Sequence, residues 1–296
     1  MKNAAGLFLK GVAMGAANVI PGVSGGTIAF ISGIYERLIK ALKSFDLSLL
    51  SSLMQGQFRQ VTEKTDLKFL SILFSGIAVS VFSLAYLLEY ALQFYEVFTL
   101  AFFFGLIVAS TLGVGRQISK FSLGVLTTFV IGFIMAISIA FLTPAAANDH
   151  WLYVILCGVV AISSMILPGL SGSYILLLMG NYVLMLQSIS HFHFKFLVPF
   201  ALGCLLGLVI FSRLLSYLFD HFKEVTISLL TGFVAGSLLI IWPWKTTNYI
   251  TIEARQKAIG YDWYFPSYDA DLLIGTVLMM LGFAVVFGIE RLGAKG

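Results

Sequence analysis

Two short stretches of this chain combine the residue types of an anion-binding turn. Residues 21–27 read Pro-Gly-Val-Ser-Gly-Gly-Thr and residues 168–173 read Pro-Gly-Leu-Ser-Gly-Ser, each inside an apolar run. Proline and glycine break a helix. If the chain re-enters a helix directly afterwards, the first backbone N–H groups have no intrahelical partner and the helix dipole places partial positive charge there. Ser24 or Thr27 can cap such a start, and Gly25 and Gly26 let a ligand approach the backbone closely. Ser171, Gly172 and Ser173 offer the same chemistry in the second copy. Each turn is an expected phosphate-type anion site. The preceding arms end in exposed carbonyls, which suit a coupling ion such as H+ or Na+.

Other chemistry reads less well. The string Gly22-Val23-Ser24-Gly25-Gly26 fits the serine-hydrolase elbow G-x-S-x-G. A serine nucleophile needs a base within hydrogen-bond reach, and His150, His191, His193 and His221 all fall at expected segment ends. No Gly-Lys-Ser/Thr follows the glycines, so a P-loop is excluded. The reading is therefore of a non-enzyme, with no cofactor and no metal. Cys157 and Cys204 both lie in apolar segments and are read as packing residues. Three charged residues are candidates for the head group of an anionic substrate, or for coupling: Glu36, Arg37 and Arg213. Arg37 lies ten residues after Thr27, about 15 Å along a continuous helix. Arg213 interrupts an apolar run, where snorkelling to the interface competes with function.

The elements that would position these residues belong in a membrane. Of 296 residues, 59% are apolar and 11% charged, against roughly 25% charged in a soluble domain. Mean hydropathy is +0.97. No long basic run or nucleic-acid motif appears, so nucleic acid is not an expected partner. Six segments are long enough to span: 69–92, 97–114, 121–143, 196–218, 225–243 and 271–290. Regions 6–42 and 151–189 each hold two apolar arms around a Pro-Gly-x-Ser-Gly centre. The arms 6–20 and 27–42 have 15 and 16 residues. Each covers about 22–24 Å, short of the ~30 Å hydrocarbon core. A re-entrant hairpin is expected for the first pair. The second pair is slightly longer, so two thin full spans stay open there. Residues 43–68 read as a surface helix or loop. Residues 244–270 form a second long polar connection, whose Trp244, Tyr249, Tyr261, Trp263 and Tyr264 suit a membrane–water boundary. The N-terminal run resembles a signal peptide, but Lys10 interrupts it and it belongs to a repeat, so it is read as retained.

The repeat appears when Pro21 is aligned with Pro168. Gly11, Gly22, Ser24, Gly25, Gly33 and Tyr35 then match Gly158, Gly169, Ser171, Gly172, Gly180 and Tyr182, at an offset of 147. Further on, Phe69, Gly76, Gly105 and Ser110 match Phe196, Gly203, Gly232 and Ser237, at an offset of 127. The halves are 1–145 and 146–296, each one hairpin and three spans. A hairpin returns to its starting side and three spans then cross. The second half therefore starts on the opposite side: an inverted-topology repeat, as in many secondary transporters. Fourteen of the 18 Lys and Arg residues fall on the side of the N-terminus. By the positive-inside rule both termini are cytoplasmic and 244–270 is outside.

The stretches Ile20-Pro21-Gly22-Val23-Ser24-Gly25-Gly26-Thr27 through Ile39 and Leu167-Pro168-Gly169-Leu170-Ser171-Gly172-Ser173 through Tyr182 resemble the paired signatures of the bacterial polyprenyl-phosphate transporters, the PopT family, formerly a domain of unknown function. The resemblance covers residues 5–291. It implies an all-α polytopic protein of the bacterial plasma membrane that moves undecaprenyl phosphate, the lipid carrier of cell-wall precursors, from the outer leaflet back inward. The polyprenyl-phosphate lipid and the surrounding membrane lipids are then its partners. One departure stands out. The first copy has Gly33-Ile34-Tyr35-Glu36, as in the family; the second has Gly180-Asn181-Tyr182-Val183, where a second acidic residue is expected. The residues alone also admit a transporter of a small soluble anion.

Overall fold

A computed structural model describes residues 4–18, 24–45, 49, 55–116, 118, 121–252, 255–268 and 270–293. The Pro21-Gly22 part of the first motif and most of the 46–54 segment of the polar insert lie outside them. Fourteen helices and one strand pair are described. Helices α1 (Ala4–Ala17), α2 (Gly25–Ile31), α3 (Tyr35–Lys43), α4 (Phe58–Lys64), α5 (Leu67–Ser83), α6 (Ala85–Phe94), α7 (Glu96–Gly115) and α8 (Leu123–Ala140) come first. Then follow α9 (Trp151–Ile166), α10 (Gly172–Leu178), α11 (Tyr182–Ser190), α12 (Phe194–His221), α13 (Lys223–Ile241), strands β1 (Lys245–Ile252) and β2 (Arg255–Trp263), and α14 (Ala270–Gly293). Among the described residues α7, α8, α12 and α13 are long and apolar enough to cross a membrane. α8 and α12 leave large apolar side chains outside, among them Leu126, Ile134, Leu205 and Ile210. Faces of that kind belong in lipid.

The chain forms two compact units. Neither is a sequence half. The first gathers Ser24–Leu84 and Pro144–Lys223 with the N-terminal segment up to Asn18, so it holds the first motif from Ser24 onward, the second motif, α5 and α12. The second gathers Ala85–Thr143 with the chain from Glu224 onward, and so holds α6–α8, nearly all of α13, α14 and the strands.

Within the first unit, glycine sets the helix spacing. α1 packs on α5 with Gly76 against Phe8 O and Gly11 against Leu73 O. α9 packs on α12 with Gly203 against Ile155 O and Gly158 against Phe200 O. No side chain fits at these crossings, because the opposing backbone occupies the place of a Cβ. The four glycines are the pairs matched by the sequence repeat. In the second unit Gly105 meets Met279 O on α14, and Gly232 meets Phe129 O on α8. There too the crossings recur at repeat-matched positions, since Gly105 and Gly232 correspond.

Three expected elements come out differently. The arm 27–42 is not one helix: it breaks between α2 and α3. Gly33 has φ +73°, Gly33 N–H donates to Phe30 O (3.2 Å), and Ile34 N–H donates to Ala29 O (3.0 Å). That is a Schellman ending, which needs a left-handed residue. The second copy repeats it: Gly180 has φ +78°, with Gly180 N–H to Leu177 O (2.8 Å) and Asn181 N–H to Leu176 O (3.2 Å). There the chain bends by 116° between α10 and α11. The span expected over 69–92 divides at Leu84 into α5 and α6. The polar connection 244–270 carries an antiparallel strand pair, with a bulge at Asn248/Tyr249, rather than a loop alone. Trp263 Nε1 donates to Leu239 O (2.8 Å) and fastens this pair to α13. Trp242, Trp244 and Phe104 cluster beside it, with edge-on ring contacts at 5.4 and 5.5 Å.

Candidate functional site

α2 begins at Ser24, whose backbone is extended (φ −123°, ψ 152°) and whose Oγ accepts from Thr27 N–H at 3.1 Å. Of the two caps the sequence offered, Ser24 or Thr27, the structure uses Ser24. Gly25 N–H donates to Asn18 Oδ1 (2.7 Å), so a side chain from the end of α1 satisfies a second open donor. The structure brings the two motifs into contact. Thr27 Oγ1 accepts from Gly169 N–H at 2.8 Å, and Ser24 Oγ donates to Leu167 O at 3.3 Å. A Cβ on Gly26 would lie 2.6 Å from Ile166 O. Tyr35 Oη donates to the same carbonyl at 3.1 Å, and its buried ring packs edge-on against Phe30 at 5.5 Å.

The start of α2 therefore sits against the carbonyl end of α9. Partial positive charge meets partial negative charge, a favourable head-to-tail arrangement. Ser24 and Thr27 are buried, with their oxygens engaged inside the protein. The second turn is different. Ser171 and Ser173 pair through their hydroxyls at 3.1 Å, and Ser173 is exposed. Ser171, the residue before α10, makes no side-chain cap bond.

Glu36 and Arg37 lie on α3, which carries a strongly charged face. Glu36 accepts from Lys223 (2.8 Å) and Lys40 (2.9 Å). The hydrogen bond from Lys223, then that from Lys40, holds its carboxyl below the usual range. Lys40 and Lys43 also face Asp220 at the end of α12 (3.7 and 4.0 Å). Arg37 forms a two-pronged pair with Asp66: Nε to Oδ2 at 2.6 Å and Nη2 to Oδ1 at 3.1 Å. Its guanidinium stands 4.3 Å above the ring of the buried Phe69. Arg213 is exposed on α12 and lines neither cavity beside Arg37.

Asn18, Lys10, Asp66 and Tyr35 escape the sequence reading as parts of this region. Lys10 carried a signal, as a lysine interrupting an apolar run. Asp66 carried none. In the second copy Asn181 replaces Ile34 and is fully buried, bonded to the backbone of Asn148 on both sides (2.9 and 2.8 Å). Val183 stands at the position of Glu36, so the paired carboxylates implied by the resemblance are not present. The four histidines lie at helix ends: His150 before α9, His191 after α11, His193 before α12, and His221 last in α12. Cys157 and Cys204 are free thiols, Cys157 fully buried in the α9 core.

Apolar helices that face outward, and two helix-breaking turns joined in the interior, define a multi-pass membrane protein. The family model described as undecaprenyl phosphate translocase-like matches residues 14–259, and the chain belongs to that family. The chain is 38% identical to a polyprenyl-phosphate transporter of Vibrio cholerae serotype O1, across 97% of this chain and 96% of that one. It is 28% identical to a polyprenyl-phosphate transporter of Staphylococcus aureus over the same shares. No solved structure matches it.

Proposed function

We propose that this protein carries undecaprenyl phosphate across the bacterial plasma membrane, returning the carrier lipid for reuse. Both termini are cytoplasmic. Halves 1–145 and 146–296 are inserted with opposite topology and open alternately to the two sides. The support is the family membership together with one observation: the Thr27–Gly169 hydrogen bond, which holds the two serine-glycine turns against each other. In the closed arrangement the donors of the two turns serve each other. On opening, the phosphate takes over the Ser24, Gly25, Gly26 and Thr27 turn and the Ser171, Gly172 and Ser173 turn, while Arg37 and Arg213 assist at the mouth. The phosphate crosses through protein and the prenyl tail stays in lipid. An H+ or Na+ gradient supplies the direction.

The test is a vesicle assay with a fluorescent short-chain polyprenyl phosphate and a membrane-impermeant quencher. Vesicles holding the protein should expose inner-leaflet label to the quencher; empty vesicles should not. The pair Ser171→Ala and Ser173→Ala should slow exchange without changing insertion. No exchange by folded wild-type protein would reject the reading. Uptake of inorganic phosphate in its place would assign a soluble anion.

A further inference from the structure

Beside α3 lies a cleft of about 490 Å³, walled by α1, α3 and α5. Three cationic residues line it: Lys10 from α1, Arg37 from α3 and Lys68 from α5. Apolar side chains complete the wall, among them Leu7, Ile34 and Phe69. Asp66 is the acidic lining residue. The volume suits a small ligand, and an apolar wall with a few convergent polar groups is the usual composition of a ligand site.

Two of the cations are held in place. Lys10 Nζ is half-buried and donates to Ser32 O at 2.7 Å, next to the Gly33 turn. Arg37 rests on Phe69, which fixes the plane of its fork. Asp66 fills that fork with two parallel contacts, the geometry that a phosphate monoester would make in its place. Asp66 also holds a left-handed backbone (φ 47°) just before α5. For a residue other than glycine this conformation is uncommon, and here it presents the carboxylate to Arg37.

The second half keeps only part of this lining. At the repeat offsets Lys10 becomes Cys157, Arg37 becomes Leu184 and Asp66 becomes His193, while Lys68 is matched by Lys195. Cys157 is fully buried, and Leu184 and Phe196 pack on the same core. The repeat can thus be packed with apolar residues at this place. The charges of Lys10 and Arg37 are an addition that packing does not require.

We infer that this cleft is a docking site for the head group of a prenyl phosphate on the cytoplasmic side, where the inward-moving lipid arrives. Lys10 and Arg37 bind the phosphate, Lys68 adds charge, and Leu7, Ile34 and Phe69 receive the first isoprene units. Asp66 is the internal occupant that the phosphate displaces from Arg37. This rests on the proposed lipid-phosphate substrate and adds to it a docking position at the cytoplasmic mouth.

The test uses detergent-purified full-length protein with geranylgeranyl phosphate as probe, geranylgeraniol and inorganic phosphate as controls, and vesicle exchange in parallel. Arg37→Gln and Lys10→Met should each weaken geranylgeranyl phosphate binding about tenfold or more, and Lys10→Arg should restore much of it. Asp66→Asn should tighten binding several-fold, because asparagine keeps the left-handed backbone but no longer competes as a carboxylate. Geranylgeraniol should not compete, and inorganic phosphate should compete only weakly. Unchanged binding in folded Arg37→Gln and Lys10→Met, or weaker binding in Asp66→Asn, would overturn the cleft assignment. Equal competition by inorganic phosphate would assign the cleft to a free anion and overturn the lipid head group. If exchange fails in wild-type vesicles while binding still follows Arg37 and Lys10, the transport reading has failed and the cleft stands. If exchange and binding both persist when Arg37→Gln and Lys10→Met are combined in one protein, the cleft has failed and transport stands.

Discussion

The hydroxyl oxygen of Thr27 accepts a hydrogen bond from the backbone N–H of Gly169, 142 residues further along the chain, at 2.8 Å. Both groups are buried, so neither has water as a substitute partner. Through this bond one motif closes the open donor of the other. Ser24 adds a second tie to Leu167 O.

Thr27→Val keeps the shape of the side chain and removes the acceptor. Gly169 N–H is then buried without a partner, at a cost of about 1–3 kcal/mol. Thr27→Ser should retain most of the stability. Thermal unfolding in detergent reads the difference, and equal melting of the valine and serine variants would contradict the role given to this bond.

Gly11 and Gly33 are needed for different reasons, which asparagine separates. At Gly11 a Cβ would run into Leu73 O. Alanine there should cost about 1–3 kcal/mol, and asparagine more. At Gly33 the surrounding space is open but φ is +73°. Alanine should cost about 1–2 kcal/mol, and asparagine less, since it tolerates the left-handed region. Melting temperatures of the four variants check the opposite orders.

Tyr35→Phe removes the hydroxyl that binds Ile166 O and leaves the ring contacts with Phe30 and Phe219. The expected loss is about 1 kcal/mol. The freed carbonyl stands where α2 packs on α9, so hydrogen exchange should accelerate first in α2 and α3. Uniform acceleration along the chain would argue against a local tie.

Lys245 opens the strand pair outside the spanning helices. It is buried, donates to Ile240 O and stands 4.3 Å from the Tyr261 ring centre. Burial lowers its amine to about 8, with Glu96 opposing that shift. Between about 8 and its ordinary value of 10.5 the unfolded chain binds more protons than the folded one. Stability should therefore rise with pH across that window, and the cost of burying the charge is fully present below it. Lys245→Met should be the more stable protein at pH 7 and should lack this part of the rise. The difference between the two melting profiles isolates the contribution of Lys245.

Sequence alone determined the membrane class, because only a lipid interior accommodates so much outward apolar surface. It also determined the doubled motif and narrowed the cap to Ser24 or Thr27, which depends on neighbouring residues and local backbone geometry. The left-handed glycines at positions 33 and 180 were visible as matched residues, but not as helix ends. Their φ is set by how α2 and α10 terminate, and apolar periodicity continues through the break. Tertiary structure alone decided that Thr27 faces Gly169, that Asp66 sits in the fork of Arg37, and that Lys10 shares a cleft with both. Those partners lie 142, 29 and 27 residues apart in their closest pairings. Side-chain type says what bond each can make; only the packing of α1, α3, α5 and α9 selects the partner.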